Sequence, residues 1–215
     1  METNSQKNSL VDPSALGLFG LTVVTLVASS QKLGFTQGTA LIVPWAIFLG
    51  AAAQLYAAHV DSKRENLFGT TVFGAFGLFW LGVAASWMIA SGAWGEELAL
   101  GADPKQLGVA FVAYFGFSLV LTLAATKTNK VLLLDFIFID ALFAGLILST
   151  LADSHLGHLL AGYSELLVSI ISFYAFSANI LNGHFKRIVL PVGKPLNLFK
   201  EQPSEKPQPG LSRIA

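Results

Sequence analysis

Six apolar runs, each close to the length of a bilayer crossing, dominate this sequence. They fall at residues 15–30, 38–60, 67–89, 106–126, 130–151 and 156–182. A membrane helix needs about 20 mostly apolar residues. The breaks between runs are short and carry charges or turn residues, as in Gln31-Lys32-Leu33-Gly34, Asp61-Ser62-Lys63-Arg64-Glu65-Asn66, Gly95-Glu96-Glu97 and Lys127-Thr128-Asn129-Lys130. Such links join antiparallel neighbours. The pattern predicts an all-α integral membrane protein, a six-transmembrane-helix bundle. Long continuous runs argue against a membrane β-barrel, whose strands alternate over about ten residues.

Composition supports this reading. Only 12% of the 215 residues are charged, against about 25% in soluble domains. Basic and acidic side chains balance at 13 each, which excludes a basic nucleic-acid binder on bulk charge. With no cysteine, disulfides, thiolate metal sites and cysteine nucleophiles are excluded. Six crossings put both termini on one side. That side holds 11 basic residues (Lys7, Lys63, Arg64, Lys127, Lys130, Lys186, Arg187, Lys194, Lys200, Lys206 and Arg213), and the other side holds Lys32 and Lys105. The positive-inside rule predicts cytoplasmic termini in a cell membrane. Three segments result: a polar start at 1–11, a transmembrane domain at 12–193 and a Pro-rich tail at 194–215, whose composition predicts a mobile cytoplasmic extension.

Several residues carry chemical signals. Asp12-Pro13 opens the first span as an N-cap followed by proline at the first helical position. Glu165, Ser169, Ser172, Phe176 and Asn179 share one face of the sixth span, and a polar stripe at membrane depth faces a path or glues helices together. Thr22, Thr25 and Ser29 form a weaker stripe on the first span. Three acids lie within spans. Asp135 sits near Lys130 and reads as structural. Asp140 and Glu165 approach the midplane from opposite sides: either they lie near one another with at least one protonated, as a proton-coupling site requires, or each is separately hydrogen-bonded. No Lys or Arg falls inside a span, so a bound anion would rest on helix N-terminal amides and hydroxyls. Thr70 and Thr71 open the third span for this purpose, with Gln54, Asn179 and Asn182 as further donors. Asp12-Pro13-x-x-Leu16-Gly17 recurs as Asp103-Pro104-x-x-Leu107-Gly108, a faint sign of an inverted three-plus-three repeat.

Three stretches resemble a known family. Asp12-Pro13-Ser14-Ala15-Leu16-Gly17-Leu18 is similar to the Asn-Pro-Ala-Pro-Leu-Gly-Leu signature of the acetate uptake transporters, also called succinate–acetate permeases. Phe68-Gly69 through Phe79-Trp80 and the closing Leu190-Pro191-Val192-Gly193 match further motifs in order. The signature departs at Asp12 and Ala15. The resemblance implies a homohexamer in the bilayer, each protomer with its own pathway for acetate and related monocarboxylates, some members also taking succinate, by proton symport or channel-like passage. No cofactor or metal is implied. It places Asp12, Leu16, Gly17, Leu18 and Leu21 along the pathway, where the polar stripe adds Thr22, and a hydrophobic constriction at Leu21, Phe76 and Ile139. Ser172 falls at a size-sensitive lining position.

Two other classes compete. A passive channel for small neutral solutes draws on the likeness of Asp-Pro-Ser-Ala to aquaporin Asn-Pro-Ala boxes, but those boxes lie mid-chain. A membrane enzyme lacks a predicted Ser–His pair at membrane depth. His155 and His158 beside Asp153 have metal-ligand types, yet all four histidines sit at or beyond helix ends, where loop histidines are the simpler reading.

Overall fold

In the computed structural model, which describes residues 10–196 and 198, six helices are long and apolar enough to cross a membrane. They are α1 (Ser14–Lys32), α2 (Ile42–Lys63), α3 (Leu67–Ala90), α4 (Pro104–Ala125), α5 (Lys130–Ala152) and α6 (His155–Phe185). Among the described residues there is no strand. The expected polar start and most of the expected mobile tail lie outside the described residues.

Polar residues fix the helix starts. Asn66, Asn129 and Ser154 accept from the amides of Gly69, Leu132 and Gly157 at 3.1, 2.9 and 3.1 Å, each satisfying an amide that the first turn leaves free. The Asp-Pro echo makes the same bond twice: Asp12 Oδ1 accepts from Ser14 N, and Asp103 Oδ1 from Lys105 N, both at 2.9 Å. The frames differ, however. Asp103 is the cap of α4 with Pro104 its first residue, whereas at α1 the cap is Pro13 itself, with φ −84° and ψ −7°, and Asp12 stands one residue outside it.

The second crossing differs from expectation. It begins at Ile42, not residue 38, because Gly38 takes a φ of +72° and breaks the chain direction. Residues Ala46–Ala53 within it form a π-helix, an irregularity that recurs at functional sites. Gly20 of α1 lies against this segment, so close that an added Cβ would collide with the Leu49 carbonyl.

The helices form a ring. Packing runs from α3 to α2, α1, α6, α5 and α4. Between α5 and α6 the approach requires glycine: a Cβ on Gly145 would lie 2.5 Å from Ala161 N and 2.8 Å from the Gly157 carbonyl. Large rings close the remaining side between α3 and α4. Phe79 meets Tyr114 at 4.9 Å and Phe111 at 6.1 Å, Phe76 meets Phe117 at 5.9 Å, and the Tyr114 hydroxyl donates to the Ala75 carbonyl at 3.1 Å. The chain after α6 turns back across the face from which α1, α3 and α5 start, called the terminal face below. Asn182 secures it, accepting from Val189 N and Leu190 N at 2.7 and 3.0 Å and donating to Leu190 O at 2.8 Å. Asn182 is therefore spent on this strap and is not a free substrate donor.

Candidate functional site: two cavities and an apolar layer

Two cavities enter the ring from opposite faces. The first, about 320 Å³, opens at the terminal face. Ser14, Leu18 and Leu21 of α1, Phe68, Gly69, Val72, Phe73 and Phe76 of α3, and Leu132, Asp135, Phe136 and Ile139 of α5 line it. Asp12, Asn66, Asn129, Asn179 and Val192 surround its mouth, and Gln54 joins from α2. On each of α1, α3 and α5 the lining descends about seven residues, so about 10 Å. The second cavity, about 190 Å³, is lined by Phe79 to Trp87 of α3, Leu107 and Phe111 of α4, Leu142 and Leu146 of α5, Lys32 and Glu165.

Between them lies one layer. Phe76 and Ile139 end the first cavity, while Phe79 and Leu142 begin the second. The members of each pair are three positions apart, about 4.5 Å along a helix. Phe76 is 5% exposed and is held by Phe117, Phe143, Phe136 and Tyr114 at 5.9, 6.3, 6.4 and 6.4 Å.

The expected pathway residues divide into two groups. Asp12, Leu18, Leu21, Gln54, Phe76, Ile139 and Asn179 come together on the first cavity. The others do not line it. Leu16 faces outward and is 43% exposed. Gly17 is filled by the Phe73 ring. Thr22 donates back to the Leu18 carbonyl at 2.9 Å. Thr70 and exposed Thr71 turn away; at that helix start Phe68 and Gly69 face the cavity instead. Ser172 is buried and donates to Asp135 Oδ2 at 2.8 Å.

Of the two arrangements open to the midplane acids, the structure has the separate one: Asp140 and Glu165 are not paired. Asp140 Oδ2 accepts from Thr122 of α4 at 2.7 Å, and Glu165 Oε2 accepts from Lys32 of α1 at 2.9 Å. They lie on different faces of the bundle because α5 turns Asp140 toward α4 while α6 turns Glu165 toward α1. Asp135, read as an interfacial structural residue, is 1% exposed and lines the first cavity with Oδ1 unpartnered. A periodic signal for it existed: Leu132, Asp135, Phe136 and Ile139 share one helical face. Lys32 joins the site from beyond the apolar runs. A residue outside the apolar run brings its ammonium into the second cavity, so the cavities are not free of cations. Nothing local in the sequence announces a contact across 133 positions.

At the first mouth, Arg64 bridges Asp12 at 3.2 Å and Asp61 at 3.4 Å. Partial burial pushes the Asp12 carboxyl up, but the Ser14 amide and hydroxyl and the Arg64 guanidinium outweigh it, leaving it below its ordinary value. His158 Nε2 lies 3.0 Å from the Lys32 carbonyl, and among the described residues no group of three or more His, Asp or Glu side chains could hold a metal ion.

Six membrane-crossing helices around two opposed cavities define a protein of the channel or carrier class. The chain belongs to the GPR1/FUN34/yaaH family, whose profile matches residues 2–195, in agreement with the motif resemblance. It is 29% identical over 187 residues to the succinate-acetate/proton symporter SatP of Escherichia coli K12, covering 86% of this chain and 96% of that protein. It is 22% identical over 202 residues to acetate permease A of Emericella nidulans, covering 87% and 67%. The solved structure of the bacterial acetate channel SatP superposes with a TM-score of 0.80 at 28% identity, covering 86% of this chain and 99% of that one.

Proposed function

We propose that this chain carries acetate and related short-chain monocarboxylates, with succinate as the larger candidate, across the cell membrane through a pathway within each protomer. The observation that carries the proposal is the alignment of the two cavities on one apolar layer, Leu21, Phe76 and Ile139 at its terminal side and Phe79 and Leu142 beyond. Relatives named as a symporter, a permease and a channel for such acids support it. An apolar layer suits a weak acid, which can cross it neutral, better than a strong mineral anion, whose charge is costly to desolvate.

In this reading Asp12 and Asn179 border the terminal mouth, Gln54 offers a polar group inside, and the layer sets the size limit. Asp140 and Glu165 act as separate groups and share no proton. The 11-to-2 distribution of basic residues supports cytoplasmic termini, and the family resemblance supports a homohexamer. The test is flux in proteoliposomes holding the purified chain: labelled acetate enters and glycerol does not. Glycerol passage at the acetate rate would instead make the chain a neutral-solute channel.

A further inference from the structure

We propose that Lys32 is the carboxylate-binding residue of the second cavity, and that an incoming acetate-class anion takes Lys32 from Glu165 as Glu165 takes up a proton. This rests on the transport reading and gives it a loading site.

The pair is placed for such an exchange. Lys32 Nζ lies 2.9 Å from Glu165 Oε2, with the side chains 14% and 3% exposed. Both border the cavity of about 190 Å³, and every other lining residue, Phe79, Trp80 and Trp87 among them, is apolar or aromatic. The lysine is held there by its surroundings. His158 Nε2 lies 3.0 Å from its carbonyl. Gly162 leaves room for it: a Cβ there would lie 2.8 Å from the Leu33 side chain and 3.3 Å from the Lys32 Cβ.

Charge counting gives the coupling. Ammonium and carboxylate together are neutral. An added anion would leave one net negative charge among aromatic walls, where little solvates it. One proton from the aqueous phase on Glu165 restores neutrality, releases Lys32 Nζ and lets it donate to the new carboxylate. Anion and proton leave together when the pair re-forms. No other titratable group lines the cavity. On the packed elements around it, Asp140 of α5 is turned to Thr122, and His155, His158, Asp153 and Lys105 stand at the helix ends.

The test uses the full chain purified in detergent and titrated with sodium acetate in weak buffer. Tryptophan emission, to which Trp80 and Trp87 contribute, reads binding, and a pH indicator reads proton uptake. The wild type takes up one proton per acetate bound. Lys32→Met weakens binding at least tenfold. Glu165→Gln binds acetate without proton uptake. The pair Lys32→Met/Glu165→Met, an apolar replacement that keeps the helices packed, runs monodisperse and loses both signals. Wild-type affinity and proton uptake in that double variant would overturn the proposal. Parallel liposome flux separates the two failures: intact binding without acetate flux counts against transport alone, and normal flux with Lys32→Met binding unchanged counts against the Lys32 site alone.

Discussion

Replacing Phe76 by alanine tests whether the layer between the cavities is a gate. The ring is nearly buried and meets four aromatic neighbours at 5.9 to 6.4 Å. Lipid is as apolar as the bundle interior, so the loss is one of packing more than of hydrophobic burial. At about 0.5–1.5 kcal/mol per aromatic pair the four contacts sum to about 2–6 kcal/mol. If the ring must leave these neighbours to let a solute pass, removing it lowers the permeation barrier by part of that sum. About 1.4 kcal/mol gives a tenfold rate, so Phe76→Ala is expected to pass acetate at least about tenfold faster. Succinate should gain more than acetate, and Phe76→Leu should fall between. The assay is initial uptake of both acids into liposomes, normalised to monodisperse protein. Unchanged rates and an unchanged acetate-to-succinate ratio in a well-folded Phe76→Ala protein would refute the gate.

Three further outcomes follow from the packing and the charges. Gly145→Val is expected to separate α5 from α6 and abolish the monodisperse peak, whereas Gly116→Ala, with open space around it, leaves thermal stability unchanged or raised by up to about 1 kcal/mol. Asp12→Ala is expected to cost about 0.5–1 kcal/mol of stability near pH 6 through the lost helix-start contact. Because folding lowers the Asp12 carboxyl below its ordinary value of 3.8, that contribution is full above the ordinary value. It disappears as pH falls through the lowered one, so melting curves of variant and wild type converge at low pH. Asp135→Asn removes a carboxylate from the first cavity and is expected to tighten acetate binding from the terminal face several-fold, measured as inhibition of efflux.

The six crossings were legible because bilayer thickness imposes one length on every span, and short polar breaks must separate them. The Asp-Pro starts were legible because a cap needs its residue beside the amides it satisfies. The family motifs on α1 and α3 also carry Leu18, Leu21 and Phe76, which line the first cavity together. What escaped was set by contacts distant in sequence. Lys32 reads as a loop residue until α6 is packed against α1 and Gly162 makes room for it. Depth alone leaves open whether Asp140 and Glu165 meet, because it fixes only one coordinate; the helical face fixes the other. Thr70 and Thr71 failed for the same reason, since a helix start has several faces and Gly69 takes the inner one. The π segment in α2 has no periodic signature and became visible only in the backbone.

Acetate transport through the apolar layer and its proposed coupling to a proton on Glu165 can be read in one experiment. Labelled acetate uptake into proteoliposomes, with and without an imposed pH gradient, tests both most directly. Initial uptake should exceed that of the protein-free control, rise further with an alkaline interior and be competed by formate, lactate and succinate, and the response to the gradient should be lost in Glu165→Gln while acetate exchange persists. Protein-dependent acetate uptake at the same rate with and without the gradient would contradict the coupling, and uptake equal to that of protein-free liposomes under both conditions would contradict transport itself.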